Sequence, residues 1–268
     1  MAALSRNITL HVLSDIDGVL ANFVHGWLIY VYQQYGVCIG PQEITEYSGM
    51  AKLLYDKVLE QRPSALRILR ADSFEAFLET KPAALCFENN FALYESIPPM
   101  LELLPVYRHL NLSAWVNLQF VTSRSTTVKQ TTEKWLDKWG LQYRAPTVYV
   151  SSNKEKAEYV LDVAKRTRAP VIYLEDHPGF PKVLNELEPQ QRRNLSLYMP
   201  AASYNAVFED PGNLATRFPV RPLAAQLRRT LMSTKPAPVK EPTVQHVAAD
   251  PRRISPSSPC VTPGRERQ

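Results

Sequence analysis

Short apolar runs alternate with helical patterns along most of this chain, and that alternation limits the folds it can adopt. Five runs rich in β-branched and apolar residues predict buried strands: Asn7–Leu13, Leu118–Val121, Thr147–Val150, Val171–Leu174 and Leu195–Met199. Two of the intervals hold a helical face, one ending at the C-cap candidate Gly140 and one beginning at the N-cap candidate Asn153. Such alternation is typical of βαβ units. The sequence therefore predicts an α/β fold with a Rossmann-like parallel-sheet core flanked by helices.

One interval breaks the alternation. About a hundred residues separate the first predicted strand from the second, too many for an unstructured loop in a compact domain. Helical patterns occupy Phe23–Tyr35, Pro41–Gln61 and Ser73–Glu79, and the chain returns to the core through Ser96–Met100. We expect a helical cap, residues 24–95, inserted after the first strand, where open α/β sheets bind ligands. The alternative is an unrelated helical domain that only interrupts the chain.

The C-terminal segment differs from the rest in composition. Seven of the 22 prolines lie in the last 36 residues, Ser233–Gln268, with almost no large apolar side chains. Such a segment cannot bury enough apolar surface to offset its ordering entropy, so we predict that it is disordered. It holds six Lys and Arg against three acids, and therefore +3 of the net charge of +5. The expected organisation is a core of residues 1–23 and 96–232, the cap of 24–95, and a basic tail of 233–268.

Several classes of protein are disfavoured. The three cysteines, Cys38, Cys86 and Cys260, are too far apart for a disulfide framework or a Cys-x-x-Cys metal site, so we expect a reducing, cytoplasmic compartment. The first apolar run reaches Asp15 before a signal-peptide core could be completed, and Trp27–Tyr32 is far too short to span a membrane. Glycine-rich loops of the dehydrogenase and P-loop types are missing from the sequence, which disfavours those nucleotide-binding classes.

Two carboxylates follow the first predicted strand, in the run Asp15-Ile16-Asp17-Gly18. A turn here would let both side chains converge, and carboxylates brought together repel unless a cation lies between them. Hard cations such as Mg²⁺ prefer oxygen ligands, so one interpretation is a magnesium site. The other is an ordinary turn, because Asp and Gly are common turn residues.

The ends of the later strands carry groups that suit a phosphate ligand. They are hydroxyls, a guanidinium, lysines at a helix start and a second acid pair: Thr122, Ser123, Arg124, Lys154, Lys156, Glu175 and Asp176. Hydroxyls and cations are the donors that phosphate oxygens need. Each group alone is a weak signal, but their order along the chain is specific.

In that order the motifs resemble those of the haloacid dehalogenase superfamily of phosphohydrolases, over about Ile8–Met199. More narrowly, the run Asp15–Phe23 and the return Ser96–Leu101 resemble the 5'(3')-deoxyribonucleotidase group. The resemblance implies that Asp15 is the nucleophile and Asp17 the general acid/base.

The same resemblance implies a ligand set for metal and substrate. Mg²⁺ would be held by Asp15, the backbone carbonyl of Asp17, and Asp176. Thr122, Ser123 and a lysine would hold the phosphate oxygens, with Gly18 and Arg124 also beside the substrate.

Two positions leave choices open. Glu175 stands where the group usually has an aspartate, and its longer side chain leaves its direct ligation of the metal open. Lys156, which precedes Ala157 at a helix start, suits the phosphate-binding role better than Lys154, which would then be a solvated helix charge. The cap aromatics could stack a nucleobase, but aromatics on inserted helices more often form the core of a lid: Phe23, Trp27, Tyr30, Tyr47 and Tyr55.

Together these features predict a Mg²⁺-dependent phosphomonoesterase that dephosphorylates a small substrate, a (deoxy)nucleoside monophosphate, through an aspartyl-phosphate. One alternative is a polynucleotide 3'-phosphatase whose basic tail holds the strand, and another is a non-catalytic phosphate- or nucleotide-binding protein that keeps the fold. A nucleic-acid partner is not favoured, because only about +2 of the net charge lies outside the tail. No membrane partner is expected, and a homodimer is the base-rate expectation.

Overall fold

The computed structural model describes residues 8–46, 49–80, 91–142, 144–186, 194–208, 210 and 212–236. Its strands are β1 Leu10–Ser14, β2 Val116–Thr122, β3 Thr147–Tyr149, β4 Val171–Leu174, β5 Leu195–Pro200 and β6 Ala215–Phe218. Among the described residues they form one parallel six-stranded sheet in the order β3-β2-β1-β4-β5-β6. The predicted α/β fold with a parallel sheet is confirmed.

The first strand lies in the middle of the sheet. Residues Leu10–Ser14 of β1 pair with Val116–Phe120 of β2 on one side, and His11–Ser14 pair with Val171–Leu174 of β4 on the other. The carboxyl ends of β1, β2 and β4 therefore lie side by side. The chain places β2 and β3 on one side of β1 and then β4, β5 and β6 on the other side. This edge therefore has the position at which open α/β sheets bind ligands.

The inserted segment consists of five described helices. These are α1 Phe23–Tyr35, α2 Met50–Gln61, α3 Pro63–Leu69, α4 Phe74–Leu78 and α5 Phe91–Ser96. Its two ends lie together, because the amide of Asn22 donates to the carbonyl of Pro98 at 2.8 Å and the amide of Met100 donates to that of Leu20 at 2.7 Å. The segment thus leaves and re-enters the core at one place, beside the carboxyl end of β1.

The prediction of a single helix over Pro41–Gln61 is wrong. Pro41–Glu43 form a short 3₁₀ helix that ends at Ile44, whose backbone is extended, and α2 begins only at Met50. The side chain of Ile44 is buried in the apolar core. An apolar residue that fits a helical pattern is buried here by an extended turn instead.

Helices cover both faces of the sheet. They are α6 Leu104–Leu112, α7 Lys129–Lys138, α8 Asn153–Arg166, α9 Phe180–Glu186 and α10 Val220–Thr234. Alternate residues of β1 separate the two faces, as the period of a strand requires: Val12 belongs to an apolar cluster shared with the inserted helices, and Leu13 belongs to a second cluster with α8 and α9. Gly140 follows α7 with φ +72°, as predicted for a helix end. The N-cap of α8 is Ser152 rather than Asn153.

The C-terminal helix α10 buries Leu223, Ala224, Leu227 and Leu231, and it ends at Thr234. The disorder predicted for the tail concerns residues that, from 237 onward, lie outside the described part of the chain. Within the described part, none of the helices has both the length and the apolar character needed to cross a bilayer.

Candidate active site

The ends of β1, β2 and β4 and the start of α8 bring most of the predicted site residues together. Asp15 and Asp17 follow β1, Glu175 and Asp176 follow β4, and Lys156 lies in the first turn of α8. A cavity of about 200 Å³ opens between them, and these five residues all line it. The prediction that parallel strand ends gather these groups at one point agrees with their placement.

The turn after β1 is shaped by Gly18. Its φ is +69°, a conformation that side chains with a Cβ rarely adopt. A Cβ at this position would lie 1.8 Å from Oδ2 of Asp176 and 2.6 Å from the hydroxyl of Tyr204. Gly18, which was predicted to lie beside the substrate, packs closely against the carboxylate of Asp176. Its role in the structure is to let the two acidic strand ends approach each other.

Lys156 joins the two acidic strand ends. Its ammonium group donates to Oδ2 of Asp15 at 2.7 Å and to Oε2 of Glu175 at 3.0 Å, and its side chain is only 1% exposed. Lys154 lies on the outer side of α8 with its side chain 76% exposed, facing Glu158 at 4.0 Å. Of the two lysines left open by the sequence, the structure brings Lys156 into the cavity and leaves Lys154 in solvent.

Burial and the crowding of carboxylates shift the pKa values of two acids at this site. Burial raises the pKa of Asp15 to about 7, with the attraction of Lys156 opposing and the charge of Glu175 adding to the rise. Burial also raises the pKa of Asp176 well above its usual range, and the charges of Glu175 and Asp15 add to this. An added positive charge would lower the pKa values of both acids and favour their ionised forms.

The donor set of this cluster fits a hard divalent cation. One carboxylate oxygen from each of Asp15, Glu175 and Asp176 lies within 4.8 Å of the others, and all three residues are buried. Carboxylate oxygens are the ligands that Mg²⁺ prefers. The residues present thus fit magnesium, with the contribution of each acid set by its other contacts.

Glu175 is largely committed to protein partners. Its Oε2 accepts from Lys156 and from the hydroxyl of Tyr173 at 2.6 Å, and its Oε1 accepts the backbone amides of Asp176 at 3.1 Å and His177 at 3.0 Å. Burial acts to raise the pKa of Glu175, but Lys156 and these hydrogen bonds hold it below its usual range. These contacts suit Glu175 to orienting Lys156 and the strand end rather than to direct metal ligation.

Asp17 is held by Arg124. The guanidinium donates from Nε to Oδ2 at 2.8 Å and from Nη2 to Oδ1 at 2.6 Å, while Nη1 donates to the hydroxyl of Thr132 at 3.1 Å. The opposite side of the guanidinium is covered by the ring of Tyr94, whose centroid is 4.4 Å away. Arg124, which was predicted to lie beside the substrate, lines the cavity, and its donors orient the carboxylate of Asp17.

Two further predicted residues come from the end of β2. Ser123 is exposed and lines the cavity. Thr122 is buried, and its hydroxyl accepts the backbone amide of Arg124 at 3.2 Å. Thr122 therefore supports the turn that presents Ser123 and Arg124.

The cavity also has walls that the sequence patterns did not indicate. The side-chain amide nitrogen of Asn153 donates to Nδ1 of His177 at 3.3 Å, and both residues line the cavity. Only the position of His177 beside Asp176 gave a signal. Tyr94 gave none, because it reaches the site from the far end of the inserted segment.

Some aromatic residues of the inserted segment line the cavity, and others are buried in the apolar core. Phe23 and Tyr94 line the cavity, with ring centroids 6.3 Å apart. Trp27 and Tyr55 are buried in the apolar core, as lid-core residues would be. Tyr47 lies outside the described residues. Phe23 is thus the predicted aromatic that the structure places at the cavity.

Comparison with known proteins shows which fold this chain shares with solved structures. No family model matches the sequence, and no curated protein matches it. Among solved structures, a haloacid dehalogenase-like family hydrolase from Streptococcus pneumoniae is 13% identical with a TM-score of 0.45, covering 82% of this chain and 98% of that chain. A predicted phosphoglycolate phosphatase from Haemophilus somnus 129PT is 10% identical with a TM-score of 0.51, covering 84% of this chain and 99% of that one. The chain shares this Rossmann-like hydrolase fold. At such low identity the likeness concerns the fold alone, and activity has to be argued from the site.

Proposed function

We propose that this chain is a Mg²⁺-dependent phosphomonoesterase of the haloacid dehalogenase superfamily. The observation that carries the proposal is the convergence of Asp15, Lys156 and Asp176 on one cavity. Asp17, two residues after Asp15, lines the same cavity and is oriented by Arg124. A carboxylate nucleophile, a second carboxylate for proton transfer and a buried cation are the groups that hydrolysis of a phosphate ester through a covalent intermediate requires.

The reaction would proceed in two displacements. An oxygen of Asp15 attacks phosphorus and the bond from phosphorus to the ester oxygen breaks, while Asp17 donates a proton to that leaving oxygen. Water then attacks the phosphorus of the aspartyl-phosphate and gives a proton to Asp17. The bond from phosphorus to the Asp15 oxygen breaks, so that inorganic phosphate is released and Asp15 is restored.

Lys156 keeps Asp15 in place and neutralises part of the charge that the phosphoryl group brings. When bound by Asp15 and Asp176, Mg²⁺ would supply further neutralisation of phosphate charge.

The substrate we propose is a small phosphorylated molecule, and by the narrower resemblance a (deoxy)nucleoside monophosphate. The cavity of about 200 Å³ is smaller than the roughly 300–1,000 Å³ of pockets for drug-sized ligands, so it holds the phosphate and the atoms next to it. The rest of a nucleotide would lie outside this cavity. We further propose a cytoplasmic setting, from the widely spaced cysteines, and a homodimer, from base rates alone.

The test is release of inorganic phosphate from a panel of nucleoside monophosphates, small phosphorylated acids and sugars, and a 3'-phosphorylated oligonucleotide, with Mg²⁺ and with EDTA. Wild type should release phosphate only with Mg²⁺, and Asp15→Asn should lose this activity by several orders of magnitude. Asp162→Asn, an exposed change on α8 paired with Arg166, is the matched control and should retain full activity.

Three results would contradict parts of the proposal. Equal turnover by Asp15→Asn would contradict the assignment of Asp15 as the nucleophile. Full activity in EDTA would contradict the proposed dependence on Mg²⁺. Phosphate binding without any turnover by wild type would favour the non-catalytic alternative.

A further inference from the structure

Asp176 is fixed by residues from a part of the chain that the sequence motifs do not include. The hydroxyl of Tyr204 donates a short hydrogen bond to Oδ2 of Asp176. The amide of the neighbouring Asn205 donates to the backbone carbonyl of Asp176 at 3.0 Å and to that of Pro200 at 2.8 Å. Tyr204 is 5% exposed and Asn205 is fully buried. Both the side chain and the backbone of Asp176 are therefore held from the same short segment.

That segment is a three-residue 3₁₀ helix, Ser203–Asn205, which follows β5. It is anchored on two sides. The hydroxyl of Ser203 lies 2.9 Å from the carbonyl oxygen of Pro41 and 2.8 Å from that of Ile44, both in the inserted segment. From β6, Arg217 donates to the side-chain oxygen of Asn205 at 3.0 Å. The position of Tyr204 is thus determined by the insertion and by the sheet together.

The approach of Tyr204 to the site depends on Gly18. A Cβ on Gly18 would lie 2.6 Å from the Tyr204 hydroxyl, so the absence of a side chain leaves room for the hydrogen bond to Asp176. A carboxylate with one oxygen bound to a fixed phenol cannot rotate freely. Groups that fix metal-binding side chains in this way typically alter metal affinity about 10- to 100-fold when they are removed.

We propose that Tyr204 is a positioning residue for the carboxylate of Asp176 and sets the affinity of the site for Mg²⁺. This inference rests on the function proposed above, in which Asp176 binds the metal. Tyr204 itself makes no contact with substrate in this proposal. Its hydroxyl acts by holding Asp176 in the orientation that a cation needs.

The variant that tests this is Tyr204→Phe, which removes only the hydroxyl. We expect the Kd for Mg²⁺, measured by isothermal titration calorimetry on metal-free protein, to rise about tenfold or more. The Mg²⁺ concentration that gives half-maximal activity should rise in parallel, and kcat should recover at saturating Mg²⁺. Tyr198→Phe is the matched control, because Tyr198 lies on β5 and its hydroxyl contacts Gln226 at 3.4 Å, outside the cavity. It should bind Mg²⁺ as wild type does.

A second variant covers the case in which Tyr204→Phe does not fold. Ser203→Ala releases the same short helix from the insertion without removing a group that contacts Asp176, and it should raise the Kd for Mg²⁺ by a smaller factor. The inference is overturned if wild type binds Mg²⁺ and Tyr204→Phe binds it with the same Kd. Where Tyr204→Phe does not fold, an unchanged Kd in Ser203→Ala overturns it. If wild type neither binds Mg²⁺ nor releases phosphate, the proposed function itself fails, and the two failures are distinguished by the wild-type measurement alone.

Discussion

At the scale of single residues, the pair of Arg124 and Asp17 defines the most specific contact of the site. Two parallel hydrogen bonds fix the plane of the carboxylate, and the ring of Tyr94 covers the guanidinium. Lysine cannot reproduce this fork, because its ammonium group is a single point charge.

Arg124→Lys should therefore lower kcat while leaving KM close to that of wild type. We expect a fall of up to about 100-fold, which is the lower end of the roughly 10²- to 10⁴-fold that general acid–base catalysis contributes. Steady-state kinetics on the best substrate of the panel give both constants. Arg166→Lys, an exposed arginine on α8, is the control and should change neither. A variant in which KM rises and kcat is unchanged would instead indicate that Arg124 binds substrate.

Asp15 should give the metal-free protein a distinctive dependence of stability on pH. Burial raises its pKa from 3.8 to about 7, so the native state keeps a proton that the unfolded chain has already released between these values. Stability from this group is present below pH about 4 and is lost as pH rises through about 7.

Urea unfolding at several pH values tests this expectation. The free energy of unfolding of wild type should decline relative to that of Asp15→Asn between pH 4 and 7, and Mg²⁺ should offset the decline. Parallel profiles for the two proteins without metal would show that Asp15 is not the titrating group.

The difference between residues that could and could not be predicted has a physical reason. The predictable residues follow a strand or begin a helix, as Asp15, Asp176 and Lys156 do. The carboxyl ends of parallel strands lie at the same edge of a sheet, so these residues are brought close together. Tyr204 lies in an ordinary run after β5, and its proximity to Asp176 arises only because β5 pairs with β4. Neighbour relations between strands, and the side chains they bring along, are not encoded in local patterns.

At the scale of elements, the turn after β1 should respond to a side chain at Gly18. Alanine there meets both a positive φ and a collision with Asp176 and Tyr204. Gly140 provides a matched control, because its φ is +72° but an added Cβ would only contact Arg108 at 3.6 Å.

Both Gly18→Ala and Gly140→Ala should lose about 1–2 kcal/mol of stability from the left-handed backbone. Only Gly18→Ala should also weaken Mg²⁺ binding and activity. Thermal unfolding and calorimetric titration separate the two effects. Normal Mg²⁺ affinity in Gly18→Ala would contradict the close packing of the turn against Asp176.

Some elements were predicted with the bounds that the structure gives, and others were not. Helix α1 spans Phe23–Tyr35 as its pattern indicated. Strand β6 has no fully buried residue, so Ala215–Phe218 lack the apolar run by which strands are recognised. Ile44 shows the opposite case, in which a residue with helical spacing is buried by an extended backbone.

At the scale of the whole molecule, the site lies entirely in residues before the predicted tail. A chain that ends at Pro236 should therefore keep the kcat, KM and melting temperature of the full chain on a small substrate. The removed residues hold five Lys and Arg against three acids, so any affinity for an oligonucleotide should fall and depend less on salt. A truncated chain that loses activity on small substrates would show that the tail contributes to the site.

The central position of β1 has a consequence for synthesis of the protein. This strand leaves the ribosome before both of its neighbours, which begin only at Val116 and Val171. Both of its edges stay open to unwanted pairing during that interval. The inserted helices are contiguous in the chain and bury apolar side chains among themselves, so we expect them to form before the sheet. Nascent chains should accordingly need a chaperone that covers the first strand until its second neighbour has emerged.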